Sequence, residues 1–298
     1  FTASGASVGS GARLTDVDHP AVWFHLLPLP DMGSAEDLYV KMNSRGRPLT
    51  EFETFKARFE RIIDWSPRAG EFGLKADTAW SDLLWRFRGE DDLVDDEFLR
   101  YFEFACEICE WSEGHITGPT ESLANRAEAV FGPQNERGAD HLEFLFTAFD
   151  VWRELDVEDV FASTFRSPTT VDASGLPLYF RDPNLNLFES ACRSYGESTG
   201  GGNRQFTLGQ TLLLLAVILH LDQGSDHFEA RGRSLRNLVE GSQFEMRLER
   251  MPRLVADAKA LILHGDLPEP GKTFAAAQIA DEVDKRAFLV DHAECATA

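Results

Sequence analysis

Along most of this chain apolar residues recur every three or four positions, and each such run predicts an amphipathic helix. Phe52, Phe55, Phe59 and Ile62/Ile63 form the first clear stripe. It opens at Thr50-Glu51-Phe52-Glu53, where a hydroxyl and a carboxylate three residues apart have the spacing of a capping box. Phe98, Phe102, Cys106 and Cys109 predict a second helix with one apolar side, and Leu142, Leu145, Phe149 and Trp152 a third, ending near Leu155. Leu185, Phe188, Cys192 and Tyr195 suggest another. A capping box at Thr207 and Gln210 then opens the apolar run Leu212 to Leu221. That run has no polar face, so the expectation is a helix surrounded by protein. It is also too short to cross a hydrocarbon layer of about 30 Å.

Leu248, Met251, Val255 and Ala258 line a late helix, with a turn expected inside it at Pro252. Ile279, Val283, Ala287 and Val290 line the last helix, whose Glu282 and Arg286 stand four apart as an ion pair would. Phe165 to Phe180 reads as irregular, and Gly200-Gly201-Gly202 as a joint or a loop tip. Ahead of Thr50 the pattern is different. Residues 1–20 are small and polar, Ala21 to Leu29 is a short strand candidate, and Ser34 starts a short helix through Leu38, Tyr39 and Met42. The expected fold is mainly α, a helical array with a small α/β element at the N-terminal side.

Charge narrows the range of partners. Fifty acidic against 29 basic side chains give a net charge of -21 over 298 residues. A field of that sign repels phosphate backbones, which excludes a general nucleic-acid binder. The charge is uneven. Carboxylates from Glu90 to Glu113 crowd one segment, of which Glu90 to Glu97 reads as a solvated face with magnesium binding as the alternative. Arg231, Arg233, Arg236, Arg247, Arg250 and Arg253 crowd another, a local basic face that could meet DNA or another anion. Four cysteines are too few for a disulfide framework, so the cytosol is the expected compartment. Cys106 and Cys109 form a C-x-x-C pair, but Cys192 and Cys295 are isolated, and the pair reads as core rather than as a metal site.

Ala260 to Thr273, ALILHGDLPEPGKT, resembles a phosphate loop only superficially. Gly265 and Gly271 are one residue too far apart, and Pro268 and Pro270 remove two amides that would wrap phosphates. No G-x-S-x-G elbow, H-E-x-x-H helix or Rossmann fingerprint is present.

The run Tyr39 to Lys56, YVKMNSRGRPLTEFETFK, has turn chemistry at its centre together with groups suited to an anion. Asn43 offers both a donor and an acceptor, and Arg45 a planar fork of donors. Gly46 lets backbone approach a ligand closely or simply ends a helix. Lys56 follows on the next helix, as a point charge or an ordinary surface lysine. This run resembles the second motif of the N-terminal domain of GmrSD-type restriction enzymes, domain of unknown function 262. Asn43, Ser44, Arg45, Gly46, Arg47, Pro48, Leu49, Thr50, Phe55, Lys56 and Ala57 occupy the family's positions.

The resemblance implies that residues 1–66 are the distal part of a ParB/sulfiredoxin-like nucleotide-binding domain. Residues 67–298 would be a helical domain, jointed near 196–206. It implies a nucleoside triphosphate with Mg2+ as ligand, held by Asn43, Arg45, Gly46 and Lys56, and hydrolysis coupled to DNA sensing or cleavage in antiviral defence. The family's upstream Asp-Gly-Gln-Gln-Arg motif does not occur here. With that motif ahead of Phe1 the chain holds half of an active site. Without it the reading becomes a non-enzymatic helical scaffold or sensing module that binds protein partners or itself, with no membrane contact in either case.

Overall fold

The computed structural model describes residues 49–116, 121–170, 174–179 and 184–293, with side chains to residue 288. They form a mainly helical body that begins at Thr50. The expected boundary at residue 66 lies inside this body. Its first helix, α1 (Glu51–Ile62), is part of it through Phe52, Phe55 and Phe59. The strand and helix expected between Ala21 and Asn43 fall outside the described residues, so the N-terminal α/β element gains no support.

Both capping boxes form. Thr50 N–H donates to Glu53 Oε2 at 2.8 Å while Glu53 N–H donates to Thr50 Oγ1 at 3.2 Å. Two orphan amides of α1 are thereby satisfied, as such a pair can do at any helix start. After α1 come α2 (Ala69–Asp77), α3 (Ala79–Leu84) and a single 3-10 turn, Trp85–Phe87. The long α4 (Asp95–Ser112) follows, then α5 (Leu123–Phe131), α6 (Gly138–Asp150) and α7 (Val157–Thr164).

The organising element is α4, which packs against α1, α3, α5 and α6 as well as against two later helices. One apolar side was expected of it. Instead every residue from Phe104 to Trp111 is buried, so that stretch is covered all round. Aromatic rings fill the space on its α1 side: Phe59 meets Phe72, Phe102 and Phe131 with centroids 4.7, 4.8 and 5.4 Å away. Edge-on ring contacts of this kind contribute roughly 0.5–1.5 kcal/mol each beyond the area they bury.

The stretch expected to be irregular carries the described strands. β1 (Phe165–Arg166) and β2 (Leu176–Pro177) pair in parallel, Phe165 opposite Leu176. Next, α8 (Leu187–Ser194) buries Phe188 and Cys192 against α4. The glycine run that follows is a closed loop, pinned by Thr199 N–H to Asn203 O at 2.7 Å and Gln205 N–H to Glu197 O at 2.9 Å. No joint divides the body there, because α8 and the next helix belong to one core.

That next helix, α9 (Leu208–Gln223), is buried at every position from Gly209 to Leu219. It ends at Gly224, in a left-handed conformation at φ 64° that glycine adopts without a side-chain clash. Helices α10 (Phe228–Gly241), α11 (Met251–His264) and α12 (Ala276–Ala293) complete the array. α11 lies against both α4 and α9. The stretch from Leu248 breaks beside Pro252, as the expected turn implies: a 3-10 turn, Leu248–Arg250, precedes α11, and Pro252 sits in its first turn, where its missing N–H costs nothing. On α12 the expected stripe splits: Ile279 is buried but Val283 is 48% exposed. Among the described residues no helix is long and apolar enough to cross a membrane.

Candidate functional site

Of the four residues the resemblance assigns to nucleotide, Asn43, Arg45 and Gly46 lie outside the described residues. Lys56 is described. It stands one turn beyond the capped start of α1, its side chain 17% exposed, and its ammonium meets the carboxylate of Asp77 at the end of α2. The charge is therefore positioned by two helices rather than left on a mobile surface stem.

The strongest constellation elsewhere was missed at the level of sequence. Glu103, Glu107 and Glu110 follow at intervals of four and three, so they share one face of α4. Arg126 of α5 grips that face, its Nε and Nη2 donating to the two oxygens of Glu110 at 3.0 and 2.7 Å. Its Nη1 donates to Glu103 Oε1 at 2.6 Å. Arg204, from the closed loop, forks onto Glu107 at 3.1 and 2.7 Å, and Tyr195 Oη donates to the same carboxylate. The side chains of Arg126 and Glu110 are only 8% and 4% exposed. The later part of the crowded acidic segment thus turns toward the inside of the protein.

Burial opposes the charge on Arg126, but the Glu110 hydrogen bonds and the surrounding carboxylates outweigh it and raise its pKa. The Tyr195 hydroxyl is pushed well up, first by burial and then by the charge of Glu107. Gly196, at φ +77°, lets the loop pass over Glu103; a Cβ there would stand 2.3 Å from Glu103 Oε2. Three carboxylates and two guanidiniums therefore fasten α4, α5 and the 196–206 loop. With Arg126 and Glu110 buried and Glu103 and Arg204 27% and 24% exposed, the network pairs its charges with one another and orders structure. A sequence signal existed in the 103/107/110 spacing, but only the fold supplies the facing arginines.

A second polar cluster closes the C-terminal end of α4. Lys259 Nζ donates to Ser112 Oγ at 2.8 Å, and burial lowers the pKa of that lysine. A serine beside a depressed lysine is the form of a nucleophile and its base. Here the hydroxyl donates to Ile108 O at 2.7 Å, and Arg137 donates to Ser112 O at 3.1 Å. An oxyanion forming there would face the negative end of a helix. The geometry is that of a helix end held by two cations.

Cys106 and Cys109 are buried in the core, and burial raises both thiol pKa values. His141 is buried beside them, its Nδ1 3.0 Å from Val130 O and its Nε2 3.8 Å from Glu113 Oε1. Burial lowers its pKa. The unfolded chain then binds protons that the folded chain does not, so His141 stabilises the fold above about pH 6.5, its unfolded value. That contribution is lost as pH falls toward its lower folded pKa. Thermal melts taken from about pH 7 to about pH 5.5 should show a decline that flattens in His141→Gln; equal slopes would remove His141 as the cause.

Gly265 ends α11 at φ +83°, so the ALILHGDLPEPGKT run follows a helix rather than a strand. Lys272 pairs with Glu269, and Thr273 is buried against Asp257. The six clustered arginines are largely engaged by the protein itself. Arg231 donates to Ile262 O and Leu263 O, both at 2.8 Å, and Arg250 to Thr273 O at 3.3 Å. Arg236 is buried near Glu240, and Arg233 pairs with Glu229 at 2.9 Å. The expected basic face for DNA thus gains no support. Comparison with known proteins finds no matching family model, no matching curated protein and no matching solved structure.

Proposed function

We propose that this chain is the distal part of a nucleotide-hydrolysing restriction or antiphage protein of the GmrSD N-terminal-domain type. The observation that carries this reading is the run Asn43-Ser44-Arg45-Gly46-Arg47-Pro48-Leu49-Thr50, continuous with the helix that bears Lys56. Support comes from the rigidity of that helix start: Thr50 and Glu53 cap each other, and Lys56 is held against Asp77. In this reading Arg45 supplies paired charge-assisted donors to a phosphate, Asn43 orients a phosphate or a water, and Lys56 adds positive charge from α1. Among the described residues no group of three or more His, Cys, Asp or Glu is placed to hold a metal ion.

The test uses the full-length protein with the upstream motif present. Asn43→Ala and Arg45→Ala should each weaken nucleotide binding or turnover by about 2 kcal/mol, the loss of a charged hydrogen bond, with thermal unfolding nearly unchanged. Wild-type binding and hydrolysis in both variants would return the motif to a helix exit and entry. The second reading, a helical scaffold or sensing module for protein partners, would then stand. It is favoured by the mutual pairing of the strongest ionic constellation, Glu103 to Arg204, which fastens two helices and a loop.

A further inference from the structure

A cavity of about 630 Å³ opens between α10, the end of α11 and α12. Its size falls within the range of roughly 300–1,000 Å³ typical of small-molecule sites. Four cations line it, Arg231, Arg233, Lys285 and Arg286, against Glu282 and Asp284 in the wall and Glu229, which pairs with Arg233. In a chain of net charge -21 this is a local reversal of sign.

Arg233 and Lys285 each have a carboxylate partner, so the excess rests on Arg231 and Arg286. Arg231 and Arg286 hold neutral carbonyls: Ile262 O and Leu263 O for the first, Gly265 O at 2.6 Å for the second. Those carbonyls end α11 and need donors in any case. Each guanidinium has five N–H donors in a rigid fork, so capping a helix leaves others available and fixes the plane in which they point. Glu282 is already satisfied, 4% exposed and bonded to Asn237 at 2.6 Å and Lys285 at 2.8 Å. Burial opposes its charge, yet the donors around it lower its pKa, so it stays anionic within its own pairings. Ala230, Phe288 and the aliphatic stems of the cations make the remaining wall apolar.

We propose that this cavity binds a small organic anion, its carboxylate or phosphate head on Arg286 and Lys285 and its apolar body against Phe288. The site lies on the helical body and does not depend on the Asn43–Lys56 run. Calorimetry on the full chain with octanoate, phenyl phosphate and uncharged octanol tests it. Saturable binding of at least one of the two anions, with octanol much weaker, is expected, and the preferred anion tells an acyl from an aryl body. Affinity should fall as salt is raised, and by about tenfold in Arg286→Gln, which can still donate to Gly265 O. Lys285→Gln, whose amide can still donate to Glu282 Oε1, gives a second variant. No saturable binding of either anion, octanol binding as tightly, or unchanged affinity in both variants would overturn the proposal.

Discussion

Arg126→Met should destabilise the protein by about 3–5 kcal/mol, the loss expected when one partner of a buried ionic network is removed. Methionine keeps much of the arginine stem volume, so the loss reports charge and hydrogen bonding more than a void. In the variant, Glu107 keeps the guanidinium of Arg204, while Glu103 and Glu110 lose that of Arg126. Glu110, at 4% side-chain exposure, has little access to water that could replace its two bonds from Arg126. Urea unfolding followed by circular dichroism measures the effect. Adding Glu110→Leu to Arg126→Met should recover part of it, because an apolar pair can replace a buried ion pair at little cost. A single variant within about 0.5 kcal/mol of wild type would mean that water screens the network after all.

Leu214→Ala should cost about 2–5 kcal/mol, the span for a fully buried leucine whose removal leaves a cavity. Leu214 is 0% exposed on a helix whose neighbours from Gly209 to Leu219 are also buried. Its surroundings on α11 and α10 are themselves packed and cannot collapse freely into the space. Leu221, one turn from the end of the same helix, is only half-buried, and Leu221→Ala should cost clearly less. Paired chemical melts of the two variants give the comparison. Equal, small losses would contradict the enclosure of α9.

How much of the site was legible depends on how local its physics is. The reading of Asn43 and Arg45 rests on contiguous residues that carry their chemistry in that order, and both lie outside the described residues. The acidic face of α4 was missed for the opposite reason. Glu103, Glu107 and Glu110 look solvated until Arg126 and Arg204 arrive from 16 and 97 residues away. The cationic cavity has the same character, since α10, α11 and α12 each bring part of its wall.

Sequence alone determined the local devices. The hydroxyl–carboxylate and hydroxyl–amide spacings at Thr50 and Thr207 named two helix starts, because a cap needs only four consecutive residues. The absence of a polar face on Leu212 to Leu221 specified burial, since water would otherwise meet a leucine on every side. Tertiary structure decided what each face meets. From Phe104 to Trp111 α4 is buried all round although its apolar stripe is one-sided, because distant arginines neutralise its carboxylates there. Glu282 bonds Asn237 and Lys285 while Arg286 turns to Gly265, although the spacing of four suggested a pair. Helical periodicity fixes the angles at which side chains leave the axis, but the partner along each angle comes from another part of the chain.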